Sequence, residues 1–164
     1  MEKPFEQELM EQEEDTQKNK FLTFQLGNEG YGIEIRHVTE IIGLQPVTQI
    51  PELPEYIKGV INLRGKIIPV MDARVRFKKQ AKDYDNRTCV IVIDIQELSI
   101  GLIVDRVSEV LVIPEEDIVP PPEVGSASFN RYIHGIGKVE NEVKLILDCN
   151  KLLREDELSE LSNI

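Results

Sequence analysis

Two histidines and two cysteines are the side chains whose types could serve nucleophilic catalysis or metal binding: His37, His134, Cys89 and Cys149. Nucleophilic catalysis needs a serine or cysteine within hydrogen-bond reach of a base, and a zinc site needs cysteines and histidines at close spacing. The sequence has no CxxC motif, and neither histidine has a partner at a metal-binding spacing. We therefore predict surface histidines and reduced core thiols, with a disulfide or a metal pair left as the alternative for the cysteines.

Phosphate binding and carboxylate chemistry have equally little support. Gly135-Ile136-Gly137 resembles the start of a dinucleotide-binding motif, but the third glycine and a following helix are missing. Asp94, Asp105 and Asp148 end or interrupt strand-like segments, where a carboxylate usually caps a turn. The sequence therefore predicts a protein that is not an enzyme and that binds no cofactor and no metal.

Residue types suited to recognition are concentrated between residues 56 and 72, in the segment YIKGVINLRGKIIPVMD. Two apolar runs flank Arg64-Gly65, and glycine readily adopts the positive φ of a tight turn, so a β-hairpin is predicted. Its tip carries Asn62 and Arg64, and an arginine can pair bidentately with a carboxylate of another protein. We interpret the tip as a contact site. A local role, in which both side chains only stabilise the turn, remains open at this point.

The composition excludes several classes of partner. The 164 residues carry 30 acidic and 19 basic side chains, which gives a net charge of −11. Binding to nucleic acid requires clustered lysine and arginine, so a chain with this acidic balance is not expected to bind it. No signal peptide and no run long enough to span a bilayer are visible. We therefore predict a cytoplasmic protein that binds no nucleic acid, does not insert into the membrane and is a monomer in isolation.

The chain divides into an acidic arm, a strand-rich body and a terminal helix. Residues 1–19 are rich in Glu and Gln and have little to bury, which is typical of a disordered arm. Residues 20–150 contain short apolar runs separated by turns, which predict strands. Residues 151–164 predict a helix with one apolar stripe and with Asn150 as its N-cap. The stripe consists of Leu152, Leu153, Leu158 and Leu161.

The body contains an internal duplication. At an offset of 69 residues, GIEIRHVTEII from Gly32 aligns with GLIVDRVSEVL from Gly101, and FLTFQL aligns with VIVIDI. At an offset of 76, the segment from Tyr56 to Asp72 aligns with YIHGIGKVENEVKLILD, which begins at Tyr132. The order of the segments is preserved. Each half therefore predicts the same run of about five short strands.

Five short strands cannot bury two faces as a flat sheet, so each half is expected to curl into a small barrel. The predicted fold is all-β, with two five-stranded barrels, short connecting helices and a C-terminal helix. The barrels are placed at about 20–86 and 87–150, with strand exchange between them left open. The hairpin tips differ, because the first copy has Asn62-Leu63-Arg64-Gly65 where the second has Lys138-Val139-Glu140-Asn141.

These segments together resemble the CheW family of bacterial chemotaxis coupling proteins. The similarity extends from about Phe21 to Leu161 and includes VTEII, PEYIKG, IGLIVDRVSEVL and YIHGIGK. The order Gly-x-x-Asn-Leu-Arg-Gly-x-x-x-Pro-x-x-Asp, from Gly59 to Asp72, is its most specific part. Two conservative departures are Cys89, at a usually aliphatic position, and Ala73, where leucine is common.

The resemblance implies an adaptor without catalytic activity, built of two five-stranded SH3-like barrels. It implies binding to the cytoplasmic tip of methyl-accepting chemoreceptors and to the regulatory domain of the chemotaxis histidine kinase, in membrane-associated arrays. Six residues match contact positions of the family: Val38, Glu40, Gly59, Asn62, Arg64 and Val110. Two alternatives remain. One is an adaptor of the same fold in a non-chemotaxis signalling system, and the other is a small-molecule-binding or enzymatic double barrel, which perturbed carboxylates between the barrels would favour.

Overall fold

The computed structural model describes residues 17–122 and 131–163 of the chain, and the acidic arm predicted at residues 1–19 lies outside these ranges except for its last three residues. The described ranges contain eleven strands and two α-helices. The strands are β1 (Lys20–Leu26), β2 (Glu29–Glu34), β3 (Val38–Gly43), β4 (Ile57–Leu63), β5 (Lys66–Asp72), β6 (Cys89–Ile95), β7 (Leu98–Val104), β8 (Arg106–Val112), β9 (Ile118–Val119), β10 (Ile133–Val139) and β11 (Glu142–Leu147). The helices are α1 (Ala73–Arg76) and α2 (Glu155–Ser162).

The strands form two sheets, one for each lobe of the molecule. The first sheet has the order β3-β6-β7-β5-β4. It uses one uninterrupted stretch of sequence and is named the continuous lobe. The second has the order β8-β1-β2-β11-β10-β9. It combines strands from both ends of the body and is named the composite lobe. The predicted all-β class, with two lobes and a C-terminal helix, is confirmed.

The two sheets are built on one plan, and each takes strands from both copies of the duplication. The pairing of β1 with β8 repeats that of β6 with β3, since Leu22 lies opposite Val110 and Ile91 lies opposite Ile41. β2 runs parallel to β11 as β7 runs parallel to β5. The first two strands of each copy thus pair with the later strands of the other copy. The limits predicted from the sequence, 20–86 and 87–150, separate the copies, and sheet membership crosses them.

A short extra pairing occurs at the equivalent place in both lobes. In the composite lobe, Val119 of β9 lies opposite Ile136 of β10. In the continuous lobe the counterpart is a bridge between Thr48 and Val60, with two backbone hydrogen bonds of 2.9 Å. Beside this bridge Gly59 has a φ of +146°, and a Cβ atom there would lie 2.1 Å from the carbonyl oxygen of Thr48. Only glycine fits this position without a shift of the backbone.

One large apolar core lies between the two lobes, and each lobe also has a smaller apolar core of its own. Phe24 and Tyr31 enter the shared core from the composite lobe, whereas Ile93 and Leu102 enter from the continuous lobe. The interior of the continuous lobe contains six buried apolar residues and that of the composite lobe only three. Because burial of one large aliphatic side chain stabilises by about 1.5–3 kcal/mol, the shared core is the main source of stability.

The C-terminal helix begins later than the sequence predicts. Helix α2 spans Glu155–Ser162, whereas the prediction starts at residue 151. A 3-10 turn at Cys149–Lys151 precedes it, and its cap is Asp148, whose carboxylate accepts the N–H of Asn150 at 3.0 Å. Asn150 therefore lies inside a separate turn and cannot cap the helix. All four leucines of the predicted stripe are buried.

Candidate functional site

The tip of the β4–β5 hairpin is a two-residue turn. Leu63 lies opposite Lys66, and the turn residues Arg64 and Gly65 have φ values of +53° and +83°. Positive φ at both positions indicates a type I′ turn, whose twist suits a two-residue hairpin. The side-chain oxygen of Asn62 accepts the N–H of Gly65 at 2.8 Å and so holds the turn closed. Asn62 therefore stabilises the tip, while its side chain remains exposed.

Arg64 reaches from this turn to β3 and forms an ion pair with Glu40. The hydrogen bond to Glu40 raises the pKa of Arg64 above its ordinary value. The Arg64 side chain is 72% exposed and that of Glu40 is 28% exposed. Ion pairs of this exposure add little to stability, because water and salt screen them. Both charges can therefore be offered to a partner at small cost to the fold.

Four large exposed apolar side chains occupy equivalent positions in the two lobes. Ile41 is 45% exposed and its counterpart Val110 is 50% exposed. Ile67 is 54% exposed and its counterpart Val143 is 60% exposed. The sequence reasoning selected only Val110. The alignment of VTEII with VSEVL, and of the two hairpins, contains the signal that would have selected the other three.

The composite lobe carries different charges at the equivalent sites. The counterparts of Glu40 and Arg64 are Glu109 and Glu140, and both are exposed. Two acidic side chains thus replace an ion pair. Because the backbone plan of the two lobes is the same, this difference in charge lies at the surface and not in the fold.

The structure brings together three of the six residues selected from the sequence, namely Glu40, Asn62 and Arg64. Val38 begins β3 and is half-buried against the shared core. Gly59 is buried beside the Thr48 bridge, so its environment indicates a role in the fold. Val110 lies on β8 in the other lobe. The participation of all six residues in partner binding stays a prediction.

The positions of the cysteines and of possible metal ligands bear on the alternatives left open by the sequence. Within residues 17–122 and 131–163, no group of three His, Cys, Asp or Glu side chains is placed to hold a metal ion. Cys89 and Cys149 are free thiols, and burial raises the pKa of Cys149 to about 12. A surface groove of about 700 Å³ is lined by residues that include Glu34, Arg36 and His134.

Comparison with known proteins identifies the family. Residues 20–157 match the family model of the CheW-like domain. The chain belongs to the CheW-like family. It is 41% identical over 150 residues to the chemotaxis protein CheW of Klebsiella aerogenes, which covers 92% of this chain and 90% of that protein. It is 34% identical over 149 residues to the chemotaxis protein CheW of Treponema pallidum, with 88% of each chain covered.

A solved CheW structure supports the same assignment. The crystal structure of the scaffolding protein TtCheW from Thermoanaerobacter tengcongensis matches with a TM-score of 0.78 and 37% sequence identity, over 85% of this chain and 94% of that one. The CheW-like family is a scaffold and adaptor family, not a known enzyme family. In the part of this chain that the structure describes, no helix is long and apolar enough to cross a membrane. The resemblance noted in the sequence is therefore confirmed.

Proposed function

We propose that this protein is a non-enzymatic chemotaxis adaptor that couples transmembrane chemoreceptors to the chemotaxis histidine kinase. Its partners are the cytoplasmic tip of methyl-accepting receptors and the regulatory domain of the kinase, and it works in the cytoplasm at membrane-associated receptor arrays. Membership of the CheW-like family supports this proposal at the level of a chemotaxis scaffold. The observation that carries it further is the exposed Arg64 tip, which is specific to one lobe of a duplicated scaffold.

The surface chemistry suits a helical partner. Receptor tips are bundles of helices, and an apolar stripe on a helix can pack on an exposed side chain of the continuous lobe such as Ile41. Glu40 and Arg64 would then set the orientation of the partner, because charges at the rim of an interface favour one arrangement over others. Assembly in an array raises the effective concentration of each component, so individually weak contacts suffice.

Charge reversal at the tip tests the proposal. Arg64→Glu gives the continuous lobe the acidic tip of the composite lobe, and Glu140→Arg makes the reverse exchange as a matched control. We expect Arg64→Glu to weaken binding to a purified receptor-tip fragment or to the kinase regulatory domain about tenfold, the effect of roughly 1.4 kcal/mol. Its melting temperature should stay within about 2 °C of wild type, because an exposed ion pair contributes little to stability.

The control separates tip chemistry from net charge. Glu140→Arg should bind both fragments with wild-type affinity by isothermal titration calorimetry, although it changes the net charge by as much as Arg64→Glu does. Unfolding of Arg64→Glu, or wild-type binding by both variants, would contradict the assignment of Arg64. If the wild-type chain binds neither fragment, the proposed partners are wrong and a different signalling system must be sought.

A further inference from the structure

A buried ion pair joins helix α1 to helix α2. Arg76 ends α1, and Glu157 lies in the first turn of α2; their side chains are 6% and 7% exposed. The guanidinium binds both carboxylate oxygens, with Nη2–Oε1 at 2.8 Å and Nη1–Oε2 at 3.1 Å. Burial lowers the pKa of Arg76 to about 10 and raises that of Glu157. Each charge therefore depends on the other for its stabilisation.

The same guanidinium contacts equivalent tyrosines from both copies of the duplication. Its central carbon lies 4.0 Å from the ring centroid of Tyr56 and 5.0 Å from that of Tyr132. Tyr56 directly precedes β4 in the continuous lobe, and Tyr132 directly precedes β10 in the composite lobe. The hydroxyl of Tyr56 also donates to Glu157. One side chain thus touches the same structural position in each lobe.

Arg76 also contacts its own counterpart. The offset of 76 residues that relates the hairpins relates Arg76 to Leu152, and Nε of Arg76 donates to the carbonyl oxygen of Leu152 at 2.9 Å. The ion pair has no equivalent in the other copy at this position, because the counterpart of Arg76 is a leucine. The ion pair is therefore a departure from the duplicated plan.

We propose that Arg76 is a positioning residue that fixes the angle between the continuous and composite lobes. The apolar core between the lobes supplies attraction without direction, whereas a bidentate guanidinium–carboxylate pair defines an orientation. The biological meaning of this inference rests on the proposed function, because an adaptor that joins two partners must hold its two binding surfaces at one spacing. The role in lobe orientation itself can be tested without any partner.

Three variants separate orientation from stability. Arg76→Met/Glu157→Gln removes both charges; the amide oxygen of the new glutamine can still accept from the N–H of Arg154, and its amide nitrogen can donate to the hydroxyl oxygen of Tyr56. Arg76→Lys keeps the positive charge but loses the planar fork. The control Lys82→Met/Asp85→Asn, also made in the full chain, removes a surface ion pair. Its two side chains are 51% and 45% exposed.

Residual dipolar couplings of backbone amides measure the angle between the lobes. In the wild type and in the control, one alignment tensor should fit the strands of both lobes. In Arg76→Met/Glu157→Gln and in Arg76→Lys, the couplings of each lobe should still fit the structure of that lobe. The alignment tensors of the two lobes, determined separately, should then differ in orientation. A wild-type interlobe angle in the folded double variant would overturn the proposal. If the double variant does not fold, the same outcome in Arg76→Lys would overturn it.

Binding measurements connect the angle to function. Each positioning variant should bind the receptor-tip fragment alone and the kinase regulatory domain alone within about twofold of wild type, because neither surface is altered. Formation of the complex that contains both should fall about tenfold, since joining two sites depends on geometry. A wild type that binds neither fragment would refute the proposed function, while the dipolar couplings would still decide the role of Arg76.

Discussion

The hairpin tips of the continuous and composite lobes share their backbone and differ in their charges. Both lobes have the same strand plan, the same extra pairing and a glycine at the same place beside it, Gly59 in one and Gly135 in the other. At its tip the continuous lobe pairs Arg64 with Glu40, whereas the equivalent residues of the composite lobe, Glu140 and Glu109, are both acidic. Buried features that both lobes share are therefore expected to belong to the scaffold, and a surface charge found in one lobe is a candidate for recognition. By this criterion Gly59 belongs to the scaffold.

Alanine substitutions at three glycines test this distinction and should give the largest effects. In Gly59→Ala the new methyl group meets the carbonyl oxygen of Thr48, so we expect a loss of at least about 3 kcal/mol in the free energy of unfolding. In Gly135→Ala it would lie 2.6 Å from a methyl group of Ile118, which should cost about 1–3 kcal/mol. Gly65→Ala meets no atom but keeps a positive φ, at a cost of about 1 kcal/mol.

Urea unfolding followed by circular dichroism measures all three free energies. The order Gly59, Gly135, Gly65 is the essential result, because it follows the closeness of the clash. A Gly59→Ala variant as stable as wild type, and defective only in partner binding, would return Gly59 to the contact residues.

A smaller and pH-dependent effect is expected at a connection between the lobes. Asp105 is the one residue between β7 and β8, and its counterpart in the other copy is Arg36. Its carboxylate accepts two hydrogen bonds from Arg74, at 2.8 and 2.5 Å, and one from the N–H of Gly27 at 2.7 Å. The hydrogen bonding from Arg74 is the main cause that holds the pKa of Asp105 below its ordinary value. This carboxylate therefore stabilises the folded state in its ionised form.

Asp105→Asn should lower the free energy of unfolding by about 2 kcal/mol at pH 7, the usual size for a hydrogen-bonded charge. The pKa of Asp105 is lower in the folded state than in the unfolded chain. Its contribution to the free energy of unfolding is therefore complete above the unfolded-state pKa of about 3.9, and it is lost as the pH falls through the folded-state pKa. Urea unfolding at pH 7, 5 and 3 should show the gap between wild type and variant narrowing below about pH 4. Asp83→Asn, at an exposed position, serves as control. A stability difference between wild type and Asp105→Asn that does not depend on pH would refute the role of the Asp105 charge.

The smallest effects on stability are expected at the equivalent apolar residues Ile41 and Val110. Ile41→Thr and Val110→Thr should each change the free energy of unfolding by less than about 0.5 kcal/mol, because both side chains are exposed. Binding to the receptor-tip fragment and the kinase domain should weaken several-fold. If each substitution affects a different partner, the two lobes are specialised. If neither affects any partner, these side chains are not part of an interface.

The sequence predicted the repeated elements well, because glycine, glutamate and aspartate recur at matching non-apolar positions in the two copies. It could not predict whether a strand pairs with strands of its own copy or with strands of the other copy. The parallel pairing of β2 with β11 places Gly30 opposite Lys144, and alternation along a strand is the same whichever partner it has. The Arg64 tip was predicted from local turn chemistry, whereas its pairing with Glu40 depends on the curl of the sheet. The start of α2 was missed because Asp148 and Asn150 are both suitable caps.

The exchange of strands between the copies also has a consequence during synthesis of the chain. The continuous lobe is complete once β7 has left the ribosome, so its hairpins can pair soon after they appear. The β1–β2 hairpin precedes every strand of the continuous lobe, yet its partners β8 and β11 are made only after that lobe is complete. Pairings so distant in sequence form slowly, and until they form the strand edges stay unprotected. The β1–β2 hairpin therefore waits longer for its native neighbours than the strands of the continuous lobe do.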